Sequence, residues 1–335
     1  MPTRITMAQV ANKAGVSLMT VSRVINDKEG VSEATRARVQ AIIEELGYRP
    51  SDIARGLATQ RTGTLGLVMP DIANPFFSEI ARGAEHVAYN AGYNIFLCNT
   101  EEDISRELDV LQSLEEKRVD GILVCSSRLE DCQLETALTN HPAVVLVNRR
   151  MENPKIKLGL TLIDDHGGGK LATQHLLNIG HQKIGFLAGP PTSQSGRWRA
   201  DGYYETLITT GIQPTPTWIR HCTPTIEGGR QGTQELLNQH PELTGLFCYN
   251  DLVAIGALQS CAELGRKVPD NIAIIGFDDI PFAALTTPAL TTCHVPRHKL
   301  GAEAMRLLLD RINGSSNESC IEITLPAKLI VRNST

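Results

Sequence analysis

The feature that most restricts this chain is a recurring alternation. Short apolar runs stop on polar residues, and several lead straight into segments with helical spacing. The runs are LGLVMP from Leu65, NIFLCN from Asn94, GILVCS from Gly121, AVVLVN from Ala143, KIGFLAG from Lys183, TGLFCYN from Thr244 and IAIIGFDD from Ile272. Helical spacing follows at about 76–90, 104–117, near Leu134, 166–179 and 252–264. Strands apolar on both faces and separated by helices predict parallel sheet covered by helices on both sides. The alternation restarts at KIGFLAG, so two lobes with a cleft between them are expected. A chain of 335 residues with 41% apolar residues is long enough for two or three such domains.

In sheets of this kind a ligand sits beyond the carboxyl ends of the strands. Polar residues cluster there: Asp71 and Asn74, Asn99, Asn148 and Arg149, Asn250 and Asp251, Asp278 and Asp279.

Residues 5–48 read differently, as helices alone. Thr6, Ser17 and Ser32 stand where N-caps belong, and Gly15 and Gly47 where helices end. The turn between the first two helices is roughly three residues, which is helix-turn-helix geometry. The second helix lies in GVSLMTVSRVIN. With Val21, Val24 and Ile25 turned inward, Leu18, Met19, Ser22 and Arg23 face outward. A helix of this kind fits the major groove of DNA. Arg23 suits guanine O6 and N7, Leu18 and Met19 suit thymine methyls, and Thr6, Ser17 and Thr20 suit phosphates. A protein-binding helical bundle is the alternative on these residues alone. Charge favours DNA. Residues 1–60 carry eight Lys or Arg against six acids, formally +2, which leaves −7 for the rest of a chain whose total is −5. A short stretch, RPSDIARGLATQRTGT, links this head to the rest. It contains a helix of barely two turns, which is marginal by itself in water.

The strings ITMAQVANKAGVSLMTVSRVIN, VSEATRARVQAIIEELGYRPSDIARGLATQRTGTLGLVMPDIANPFF and IIGFDDIPFA resemble the lactose/galactose repressor family along nearly the whole chain. The resemblance implies a head at 1–48 and a hinge at 49–61. It implies one lobe at 62–163 with 295–325, and a second at 164–294 with 326–335, built like periplasmic sugar-binding proteins. The implied DNA-facing set is Thr6, Ser17, Leu18, Met19, Thr20, Ser22, Arg23 and Asn26. It extends to Ala54, Arg55 and a minor-groove wedge at Leu57 in the hinge. Implied effector contacts are Asp71, Asn74, Phe76, Phe77, Asn148, Arg199, Asn250 and Asp278, with Arg199 expected just before a helix. Implied partners are palindromic operator DNA, a small-molecule effector such as a sugar or sugar acid, and a second copy of the chain. The dimer surface is expected to include Met69, Ala81, Ala84, Glu85 and Ala88. No leucine heptad follows KLIVRNST, so a dimer is expected rather than a tetramer.

Two departures bear on the effector. Asn148 stands where relatives often carry aspartate, and Pro224 where many carry an aromatic residue that Trp198 or Trp218 would have to replace. A sugar acid is weighed on Arg149, Arg197 and Arg199. Control by a partner protein is a rival reading. A transport-type solute-binding protein is another, which a DNA-binding head and a polar N-terminus argue against. Catalysis finds no footing: GPPTSQSG and DDHGGGK lack the spacing of phosphate-binding loops, and His175 and His181 have no placed nucleophile. No metal, cofactor or membrane span is expected. The eight scattered cysteines read as reduced residues of a cytoplasmic protein.

Overall fold

The computed structural model describes residues 5–48, 61–315, 318 and 320–335. The chain divides into two compact units, residues 1–62 and 63–335.

The head is three helices closed by local chemistry. Helix α1 (Met7–Ala14) starts with a capping box: Thr6 accepts from the Gln9 backbone, and Gln9 Oε1 accepts from the Thr6 N–H at 2.8 Å. Gly15, at φ 61°, ends it in the left-handed region. Helix α2 (Leu18–Ile25) is capped by Ser17 and α3 (Glu33–Leu46) by Ser32. Val10, Ala11, Ala14, Val21, Val24, Val39 and Tyr48 form the core. Arg36 holds the loop between α2 and α3 by donating to Asp27 and to the Lys28 carbonyl.

The larger unit has twelve described strands. β1 (Thr64–Met69), β2 (Asn94–Asn99), β3 (Gly121–Cys125), β4 (Val144–Val147) and β5 (Leu158–Ile163) come first. β6 (Ile184–Ala188), β7 (Ile219–His221), β8 (Gly245–Cys248), β9 (Ala273–Asp278) and β10 (Thr291–His294) follow, then β11 (Cys320–Leu325) and β12 (Lys328–Ile330). The interleaved helices are α4 (Pro75–Asn90), α5 (Ile104–Glu116), α6 (Asp131–Leu138), α7 (Asp165–Asn178), α8 (Gln194–Thr209), α9 (Ile226–Gln239), α10 (Asp251–Glu263) and α11 (Arg297–Ile312). One sheet runs β11-β5-β4-β3-β1-β2 and the other β12-β10-β9-β8-β6-β7. Every pairing is parallel except β10 with β12. The α/β two-lobed fold expected from the alternation is the one observed. The chain crosses between sheets after β5, after β10 and between β11 and β12. Strand order reverses beside β1 in one sheet and beside β6 in the other, the crevice where doubly wound sheets take ligands.

Three helix pairs cross closely enough to exclude a methyl group on either side. A Cβ on Gly83 (α4) would lie 2.0 Å from the His298 carbonyl oxygen, and one on Gly301 (α11) 2.0 Å from that of Ile80. Gly169 and Gly202 play the same parts for α7 and α8, and Gly229 and Gly256 for α9 and α10. The DDHGGGK glycines therefore serve close packing: Gly169 against α8, Gly168 against the Phe277 ring and Gly167 against the capping Asp164 side chain. None of the described helices is long and apolar enough to cross a membrane. Of the cysteines, Cys125, Cys248, Cys261 and Cys293 are buried, whereas Cys132 and Cys320 are exposed.

Candidate functional site

A cavity of about 460 Å³ lies at the strand ends, walled by both lobes. Asp71, Asn74, Phe76, Phe77, Asn148, Arg199, Asn250 and Asp278 all line it. Several do so from helix starts and strand ends. Asn74 caps α4, its Oδ1 accepting from Phe76 N–H at 2.9 Å, and Asn250 caps α10 by accepting from Val253 at the same distance. With Oδ1 engaged in a cap, the amide NH2 of each is the donor available to a ligand. Phe76 and Phe77 meet edge to face, 4.9 Å between centroids, and both are buried.

The backbone is held in unusual conformations where strands end at the cavity. Ser126 after β3, Asn148 after β4 and Asp278 at the end of β9 have φ of 46°, 52° and 106°. Non-glycine residues persist there only where surrounding contacts fix them. Beside Asp278 the fixing group is buried Asp251, which accepts from Ile280 N–H at 2.8 Å and from the Thr292 hydroxyl at 2.6 Å.

Arg199 departs from its expected placement. It lies inside α8 rather than ahead of a helix, and it is 2% exposed. Its Nε donates to Asp165 Oδ1 at 2.8 Å and Nη1 to the Tyr249 carbonyl at 2.5 Å. Its guanidinium carbon stands 3.6 Å from the Phe277 ring centroid. Asp278 Oδ1 is 3.9 Å from Nη2. Burial pushes the Asp278 carboxyl up to about 7, although Arg199 and Arg297 pull the other way.

The cavity also takes residues that were not expected: Glu102, Ser126, Arg128, Ser195, Thr225 and Tyr249. Ser126 and Arg128 follow the strand GILVC directly, so the strand-end rule would have found them. Among the described residues Pro224 lines the cavity and neither tryptophan does. Arg149 and Arg197 point elsewhere. Arg149 donates to the Leu129 carbonyl and to Asp131, and Arg197 to the Pro191 carbonyl.

On the head, Leu18 and Met19 are 53% and 67% exposed at the start of α2. Arg23 is exposed on the next turn. Thr6 and Ser17 spend their oxygens on helix caps, with Ser17 also 2.9 Å from the Thr20 hydroxyl. Ser22 and Asn26 are joined, Asn26 Nδ2 donating to the Ser22 carbonyl at 2.8 Å. Ala54, Arg55 and Leu57 lie outside the described residues.

The expected dimer surface needs correction. Ala84 and Ala88 are fully buried, on the helix that packs against α11, so neither offers a contact. Met69 is 1% exposed and contributes only to the lining of the groove beside Ala81 and Glu85. Ala81 and Glu85 remain at the surface beside an apolar groove of about 430 Å³ with Ile95 and Leu97, and Phe96 and Leu97 on β2 are half exposed.

A compact helix-turn-helix head in one chain with a two-lobed core and its polar crevice defines a DNA-binding regulator that answers to a small molecule. Known proteins agree. Residues 6–51 match the family described as bacterial regulatory proteins, lacI family, and residues 62–332 match periplasmic binding proteins and sugar binding domain of LacI family. The HTH-type transcriptional repressor PurR of Aliivibrio salmonicida is 36% identical over 93% of this chain and 94% of its own. The ribose operon repressor of Halalkalibacterium halodurans is 37% identical over 98% and 97%. A crystal structure of the Lac repressor dimer bound to operator and the anti-inducer ONPF superimposes with a TM-score of 0.87, at 28% identity over 98% of each chain. The chain belongs to the lacI family of bacterial regulatory proteins. It is a DNA-binding transcription repressor with a small-molecule effector domain, in a family of regulators rather than enzymes.

Proposed function

We propose that the chain works in the cytoplasm as a homodimer whose two heads each read half of a near-palindromic operator. The cleft between lobes takes a polar small molecule, a sugar or sugar derivative, that resets DNA affinity. One observation carries the effector reading: both lobes contribute to a single cavity lined by guanidinium, carboxylate and amide groups beside an aromatic pair. Such a donor and acceptor mixture suits a polyol. A ligand held by both lobes couples the cleft to the lobe angle, and hence to the spacing of the heads.

The same proposal assigns base reading to Leu18, Met19 and Arg23. It gives minor-groove contact to Ala54, Arg55 and Leu57, and the chain divisions 1–48, 49–61, 62–163 with 295–325, and 164–294 with 326–335. The exposed edge of β2, with Ala81 and Glu85, supplies dimer contacts. A sugar acid loses support, because Arg149 and Arg197 are engaged away from the cavity.

Thermal melting against a panel of sugars, sugar acids and nucleobases tests the cleft. A binder raises Tm by mass action, and Asp278→Ala should abolish the shift. A panel with no hit would favour control by a partner protein.

A further inference from the structure

Arg128 is the one cavity-lining guanidinium contributed by the first lobe among the described residues, and it is 4% exposed. Its position is set from behind. Glu107 on α5 accepts its backbone N–H at 3.0 Å, and Arg149 donates to the next carbonyl, that of Leu129, at 2.9 Å. Its charge is met from the front. Glu102 takes Nε at 2.5 Å and Nη2 at 2.9 Å, a bidentate pair. Two successive left-handed residues, Glu101 at φ 55° and Glu102 at φ 60°, turn the chain after β2 to bring that carboxylate in. A left-handed non-glycine residue persists only where its surroundings fix it, here the ion pairs of Glu101 with Arg106 and of Glu102 with Arg128. Tyr249 of the other lobe lines the same cavity.

The remaining charges follow the same rule. Arg199 is met by Asp165, with Asp278 beyond it, and Glu101 lies 2.8 Å from Arg106. Asp71 adds another carboxylate to the lining. Acids therefore outnumber bases around the cavity, and both guanidinium groups already face a carboxylate. A ligand carboxylate or phosphate would have to displace one of these acids or sit beside it. A hydroxyl or carbonyl oxygen needs only the N–H donors that Glu102 leaves unused.

We propose that Glu102 closes the cleft to anions: by neutralising Arg128 it makes the site select neutral polar ligands over their carboxylated and phosphorylated forms. The inference rests on the cavity being the effector site. It assigns Arg128 as a contact for a neutral ligand oxygen and Glu102 as the determinant of ligand charge.

Calorimetric titration of the full chain with inorganic phosphate, ribose and ribose 5-phosphate tests this. The wild-type protein should bind neither phosphate nor the phosphorylated sugar at millimolar concentration. Glu102→Gln uncovers the guanidinium and should tighten phosphate binding by at least roughly tenfold. Adding Arg128→Met should remove that gain. Wild-type binding of either phosphate that depends on Arg128, or a folded Glu102→Gln protein with no gain, overturns the proposal. If Glu102→Gln does not fold, the wild-type titrations with both phosphates decide alone. Failure of the effector panel together with a phosphate gain in Glu102→Gln would count against the effector reading and leave the charge assignment standing.

Discussion

Asp278→Asn should stabilise the ligand-free protein at alkaline pH. The carboxyl is 4% exposed and its pKa is raised from 3.8 to about 7 by burial. An acid raised in the folded state keeps its proton there after the unfolded chain has lost it. Stability therefore falls as pH rises from about 4 to about 7 and is flat above. Roughly three pKa units at 1.36 kcal/mol each amount to about 4 kcal/mol at pH 8. The asparagine carries no such penalty and keeps the shape. Asp165 still neutralises Arg199, through two contacts at 2.8 Å. In a core of this size about 4 kcal/mol corresponds to a Tm gain on the order of 8 °C. Thermal unfolding of both proteins between pH 4 and 8 is the assay, and the difference between them reports Asp278 together with its repulsion of buried Asp251. The gain should be largest at pH 8, fall to less than half of that by pH 5, and vanish only below about pH 4. A variant less stable than wild type at pH 8, or a difference independent of pH, would refute the reasoning.

Three further outcomes are expected. Gly229→Ala puts a methyl 2.2 Å from the Val253 carbonyl oxygen, so α9 and α10 must part; urea unfolding should show a loss of about 1–3 kcal/mol or more. Leu18→Ala and Met19→Ala remove exposed side chains and should shift the Tm of the head by no more than about 2–4 °C, given a surface effect of roughly 0.5 kcal/mol. The DNA sequence they select from a random library should nevertheless change, and an unchanged sequence would move the reading face elsewhere. Ser17→Ala loses the cap of α2, worth about 1 kcal/mol; hydrogen exchange should speed up in residues 18–25 while ligand binding in the cleft stays as it was.

The central strands β1, β3, β4, β6, β8 and β9 were legible because each is an apolar run buried on both faces, whereas β7 (IRH), β10 (TTCH), β11 (CIEITL) and β12 (KLI) were not, being short or carrying polar residues. The head was legible for a local reason as well: its caps, Thr6, Ser17, Ser32, Gly15 and Gly47, act within a few residues of themselves. The helix carrying Arg199 was harder to read. Its buried face holds Ser195, Gly196, Arg199, Gly202 and Thr206, polar or small residues that break the apolar period. They are buried because α7 crosses there at glycine distance and Asp165 supplies the counter-charge. Ala84 and Ala88 misled for a related reason. A stripe of small residues reads as a surface edge until the partner helix is known, and α11 lies more than two hundred residues away. Glu102 could not be paired with Arg128 from sequence, because the pairing depends on two left-handed residues after β2.

The most direct test is operator affinity with and without a cleft ligand. DNA would be selected from a random library by the full chain, and its affinity measured by fluorescence anisotropy at fixed salt, since phosphate contacts make affinity salt-dependent. A ligand found by thermal melting would then be added to wild type and to Asp278→Ala. The expected result is a near-palindromic selected sequence whose affinity changes by roughly 5- to 150-fold with ligand in the wild type alone. A ligand that binds the cleft yet leaves operator affinity unchanged, or a chain that selects no sequence, would contradict a repressor controlled through this site.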